Sequence, residues 1–131
     1  MATWSDLKSY IHNNYKIADE RDDMVKLIFE TEGLRSQVVI IWRLTLAANG
    51  SEWIHIESPI GELGQIDLAA ALRTVGNTVV GGLATAGDTL VTFRHSVPLS
   101  DLSISEFEQP LHLVIGTADR LEQQFTGGDK F

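Results

Sequence analysis

The run Gln37-Val-Val-Ile-Ile-Trp-Arg-Leu-Thr-Leu46 is the most apolar stretch of the chain, and its β-branched and aromatic residues suit a pleated, well-covered surface. It predicts a central β-strand. Ala47-Ala-Asn-Gly-Ser51 follows, where Asn49-Gly50 supplies the positive backbone angles of a tight hairpin turn, so Glu52–Ser58 reads as the returning strand. The rest of the chain must cover or extend this hairpin.

Upstream, Trp4, Leu7 and Ile11 recur at helical spacing behind a Thr3/Asp6 capping relation, which predicts a short amphipathic helix over residues 3–14. The acidic run Asp19-Glu-Arg-Asp-Asp23 reads as a solvated loop. Met24–Thr31 then alternates enough to be a first strand, placed at the edge of the sheet beside the central one. Downstream, Pro59 is expected to stop the third strand, and the alanines and leucines of Gln65–Val75 favour a helix. Thr78–Ala86 and Thr89–Val97 flank Gly87-Asp88 as a second hairpin. The glycines at 81 and 82 point to a bulge or a close backbone approach rather than a phosphate cradle. A last helix has two competing starts, Ser103 with Glu106 or Ser105 with Glu108. It carries Pro110 and an apolar stripe from Leu111 to Phe125, and it ends at Gly127-Gly128. The order is α-β-β-β-α-β-β-α, an α+β fold with an antiparallel sheet of about five strands and three helices, in one domain over residues 1–131.

Composition narrows the function. The net charge of −8 opposes contact with phosphate backbones, so nucleic acid is not an expected partner. There is no cysteine, hence neither a disulfide framework nor a reactive thiol, which fits the cytoplasm. No segment approaches the length of a membrane span, and residues 1–10 show no basic stretch followed by an apolar core.

Chemical motifs are sparse. Of His12, His55, His95 and His112, only His55 has a carboxylate, Glu57, on the same side of a predicted strand. An exposed polar face produces the same pattern. The acidic run lacks the glycine and terminal glutamate of a calcium loop, no Gly-x-Ser-x-Gly occurs, and Gly81-Gly82 matches neither phosphate-binding fingerprint. No catalytic residue, metal ligand or cofactor is therefore assigned. A small hydrolase-type enzyme using His55 and Glu57 is the alternative reading, and a purely structural or regulatory dimer is another.

Apolar surface offers more. Trp42 is expected in the core, whereas Trp53 has opposite parity to Ile54 and Ile56 and faces the other side of the sheet with His55 and Glu57. Trp4, Leu7 and Ile11 on the first helix, Ile28 on the edge strand and Trp53 are the candidate partner-binding residues. The helix over 65–75 is apolar around much of its circumference, so one face can pack on the sheet while Leu68, Ala71, Leu72 and Val75 form a homodimer interface.

The passage Leu90-Val-Thr-Phe-Arg-His-Ser-Val-Pro-Leu-Ser-Asp-Leu102, followed by a helix carrying Ala118-Asp119-Arg120-Leu121, resembles the strand, Pro-Leu break and final helix of type III secretion chaperones and the related YbjN-like proteins. The element order resembles theirs along nearly the whole chain. This resemblance implies a small acidic homodimer that binds an extended polypeptide partner and has no active site.

Overall fold

The computed structural model describes residue 1 and residues 3–131. In chain order the elements are α1 (Trp4–Asn14), β1 (Ile17–Arg21), β2 (Met24–Glu30), β3 (Ser36–Thr45), β4 (Glu52–Glu62), α2 (Leu68–Val75), β5 (Gly82–Ala86), β6 (Leu90–Pro98) and α3 (Ile104–Thr126). The strands form one antiparallel sheet in the order β1-β2-β3-β4-β6-β5. The α+β class stands, with six strands instead of five.

The additional strand corrects two expectations. Asp19, Glu20 and Arg21 are not loop but strand, and Asp22 and Asp23 make the turn into β2. The edge is consequently β1, and β2 lies inside the sheet, paired along its length with β3. Met24–Leu27 are paired on both sides, so this part of the expected edge cannot receive a foreign strand.

β4 also differs from expectation, running past Pro59 to Glu62 through a register shift between Pro59 and Gly61. Proline has no N–H to give a ladder. Its position is tolerated because the β3–β4 pairing ends at Ile40↔Glu57, and the gap is closed by side chains instead. Gln37 Nε2 donates to Ser58 Oγ and to the Pro59 carbonyl, each at 2.8 Å, and Ser58 Oγ donates to the Val38 carbonyl.

Caps set the helix ends. Thr3 Oγ1 accepts from the Asp6 N–H, and Asp67 accepts from the Ala70 N–H, which moves the start of α2 to Leu68. For α3 the reciprocal Ser103/Glu106 box is formed, and Gly127 closes the helix with φ 70°. The core lies between the helices and one face of the sheet. Leu7 and Ile11 of α1, Ala71 and Val75 of α2, and Phe107, Leu111 and Val114 of α3 meet Val39, Ile41, Ile54, Ile56 and Phe93 there.

Candidate functional site

Strand parity sorts the expected binding residues. Ile54 and Ile56 point to the helices and are buried, so Trp53, His55 and Glu57 point to the helix-free face, as expected. The registers Met24↔Trp42↔His55 and Leu44↔Trp53 place Trp42 on that face too, half-buried and outside the helix-covered core. Val38 and Ile40 continue the band along β3, and Ile28, opposite Val38, is 55% exposed. Ile28 and Trp53 thus share one surface.

The first helix does not join them. Trp4, Leu7 and Ile11 are core residues, and Trp4 Nε1 donates to the Asp22 carbonyl at 2.7 Å, tying α1 to the β1–β2 turn. Their stripe seals the core against the sheet, so they are not a partner surface. On α2 the four interface candidates divide. Ala71 and Val75 are buried, whereas Leu68 is 40% and Leu72 61% exposed.

Those two leucines line a groove of about 210 Å³ with Leu63, Leu83, Ala84 and Val91. Its far wall is β5, the sheet edge opposite β1. The expected strand from Thr78 shortens to these five residues, Gly82–Ala86. Gly81 explains the late start. Its φ of +85° is left-handed, and a Cβ there would lie 2.6 Å from Phe93 Cζ, so the backbone presses onto the Phe93 ring before β5 begins. Three residues, Gly87 to Thr89, connect β5 to β6, and the Leu63 N–H donates to the Thr89 carbonyl at 2.6 Å.

The polar groups are engaged elsewhere. His55 Nδ1 lies 2.5 Å from Ser96 Oγ, while Glu57 accepts from Thr92 Oγ1 at 2.8 Å and sits 3.8 Å from Arg94. A serine, a histidine and a carboxylate thus share the open face, but Glu57 does not orient His55, and burial together with Arg94 pulls the imidazole pKa down. At the far corner Arg35 faces three carboxylates, Asp119 at 3.0 Å, Glu122 at 3.6 Å and Asp129 at 3.7 Å. These three could group around a metal ion, yet the guanidinium already stands among them. A third cluster joins Tyr10, Tyr15 and His112 around the Glu108 carboxylate. No local sequence signal marks it, because Tyr10 and Tyr15 lie more than 90 positions from the Glu108 carboxylate they meet.

No family model matches this chain, and neither a curated protein nor a solved structure does. No helix among the described residues is long and apolar enough to cross a membrane.

Proposed function

We propose that the chain is a non-enzymatic protein-binding module of the kind the secretion-chaperone and YbjN-like resemblance implies, working on a polypeptide partner. The observation that carries this reading is the α2–β5 groove, where leucines at 40% and 61% exposure stand beside a strand edge with no neighbour among the described residues. Exposed leucine clusters on a domain of this size mark interaction surfaces, and an open strand edge adds unpaired backbone donors and acceptors. The partly exposed band of Ile28, Trp42 and Trp53 offers a second apolar surface.

Homodimerisation remains part of this proposal with a smaller interface, since only Leu68 and Leu72 of its four α2 residues reach the surface. It competes with a polypeptide partner for the same groove. The hydrolase reading is weaker, because Glu57 is committed to Thr92 and Arg94 rather than to His55.

A displayed library of random peptides tests the module. Peptides enriched on the wild-type chain should be lost from Leu68→Glu/Leu72→Glu and retained by Trp53→Ala if the groove is the site. The reverse pattern moves the site to the helix-free face. Failure of any peptide to bind more tightly than ~1 mM, about 4 kcal/mol of binding free energy, removes the module reading.

A further inference from the structure

We infer that Tyr10, Tyr15, Glu108 and His112 form a binding site for a ferric ion, held between α1 and α3. The site shares no residue with the α2–β5 groove and stands or falls independently of the protein-binding reading.

The donor set is assembled by the fold. The chain has two tyrosines, and both reach one carboxylate far along the sequence. The Tyr10 hydroxyl lies 2.5 Å from Glu108 Oε1, and the Tyr15 hydroxyl lies 2.5 Å from Oε2. His112 Nε2 is 3.0 Å from Oε2 and 3.5 Å from the Tyr15 hydroxyl. Neighbouring ligands of a six-coordinate ion with bonds of ~2.0 Å stand about 2.8 Å apart, so these separations suit donors that share one ion. Glu108 and His112 are one turn apart on α3 and therefore lie on the same face, while Tyr10 lies in α1 and Tyr15 closes it. Aromatic neighbours set the rings. Tyr10 meets Phe107 edge-on at 6.1 Å, Tyr15 meets Phe29 at 5.4 Å, and Phe29 meets His112 at 6.1 Å. Donors held in this way need little reordering to bind.

Chemistry selects the ion. Two phenols, a carboxylate and an imidazole, with no sulfur among them, favour a hard cation over a soft one. Calcium and magnesium take carboxylates, carbonyls and water, and they leave a phenol protonated. A trivalent ion binds it as phenolate. Two phenolates and the Glu108 carboxylate supply three negative charges, which balance Fe(III), and neutral His112 adds the fourth ligand. In the absence of the ion the two phenol protons satisfy the carboxylate; on binding, both protons leave to solvent and the metal charge takes their place. An open cleft of about 410 Å³ lies against Glu108, Gln109, His112 and Leu113, so the ion can enter and water can complete its shell.

The test supplies Fe(III) to the full chain at pH 7 as its nitrilotriacetate chelate, followed by desalting, iron analysis and visible spectroscopy. One iron per chain should remain, with the charge-transfer band of phenolate-bound Fe(III). Tyr10 and Tyr15 are the only tyrosines, so the band reports this cluster alone. Tyr10→Phe and Tyr15→Phe should each lose part of the band, and the double variant all of it. His112→Gln should keep the band and weaken iron binding by roughly tenfold or more. Resonance Raman excitation within the band should show phenolate vibrations in the unsubstituted chain, which decides the matter even where the double variant does not fold. No retained iron, or retained iron without the band, overturns the proposal and leaves Glu108 as a tie between two helices. Iron retained equally by a folded double variant overturns it as an adventitious ion elsewhere on the acidic surface. Preference for Zn(II) or Cu(II) in direct competition with Fe(III) overturns the choice of ion. Peptide binding at the groove is untouched by any of these results.

Discussion

The Tyr15 hydroxyl donates to Glu108 Oε2 at 2.5 Å, joining the residue that closes α1 to the first half of α3. Tyr10 donates to the other oxygen at 2.5 Å, and His112 Nε2 lies 3.0 Å from Oε2. One carboxylate thus gathers α1 onto α3. Burial opposes its ionisation, but the hydrogen bonds from Tyr10, Tyr15 and His112 outweigh burial and hold its carboxyl below the usual range. The same contact with Glu108, aided by burial, pushes Tyr10 up to about 12.

Glu108→Gln should therefore cost about 1–3 kcal/mol at pH 7. A carboxylate with a depressed folded-state pKa contributes stability above its unfolded value, near ~4.3, and loses it as pH falls through the folded value. The gap between variant and wild type should close in that acid range when denaturant unfolding is followed against pH. Ultraviolet titration of tyrosine should show Tyr10 ionising at lower pH in the variant. A gap of constant size down to pH 2 would contradict this account.

Arg35 gives the opposite pH sign. Burial pushes the Glu122 carboxyl up, against the opposing pull of the Phe131 and Lys130 N–H groups and of Arg35. Replacing Arg35 with methionine leaves Asp119 and Glu122 buried without their cation, with an expected loss of about 3–5 kcal/mol at pH 7. A raised carboxyl favours folding in its protonated form, fully below ~4.3, and this is lost as pH rises through the folded value. Arg35→Met should recover part of its stability between pH 7 and pH 5. Urea midpoints at the two values decide it.

Much of this architecture is visible in the sequence because it rests on local signals. The β3 run, the Thr3/Asp6 cap and the α3 stripe need only their own neighbours. β1 does not. Ile17-Ala-Asp-Glu-Arg21 has a single large apolar residue, and it is strand because Met24–Leu27 offers it a ladder. Pro59 stays in β4 because β3 has already diverged, which is a property of the sheet and not of the Ser-Pro-Ile sequence. The α1 stripe is legible as apolar, but a stripe that seals a core and one that grips a partner have the same spacing. The site was half legible for the same reason. Parity placed Trp53, yet which flank of α2 faces inward depends on β5 and β6.

Gly81 separates close packing from flexibility. Alanine there places Cβ 2.6 and 2.7 Å from Phe93 ring atoms at a φ of +85°, so Gly81→Ala should lose about 2–4 kcal/mol. Gly82→Ala is the control. Its Cβ meets nothing within 4 Å, and the change should stay within about 0.5 kcal/mol. Equal thermal shifts for the two variants would refute the contact with Phe93.

Stability and binding should come apart between α1 and α2. Trp4 is buried and its indole holds the β1–β2 turn, so Trp4→Ala removes apolar burial and leaves the Asp22 carbonyl without its donor, at about 3–5 kcal/mol. The residue touches no part of the groove, so a Trp4→Ala chain that still unfolds cooperatively should bind its peptide with unchanged affinity below its melting transition. Leu72→Glu is the converse. At 61% exposure the side chain adds little to the core, and the substitution should move stability by no more than about 0.5 kcal/mol. A carboxylate facing Leu68 and Leu83 then lines a groove meant for apolar side chains, and binding should fall by roughly tenfold or more. Calorimetric unfolding and peptide titration on the same preparations give both numbers. If Trp4→Ala weakens binding as much as Leu72→Glu, the partner reaches α1, and the groove is not the only surface it reads.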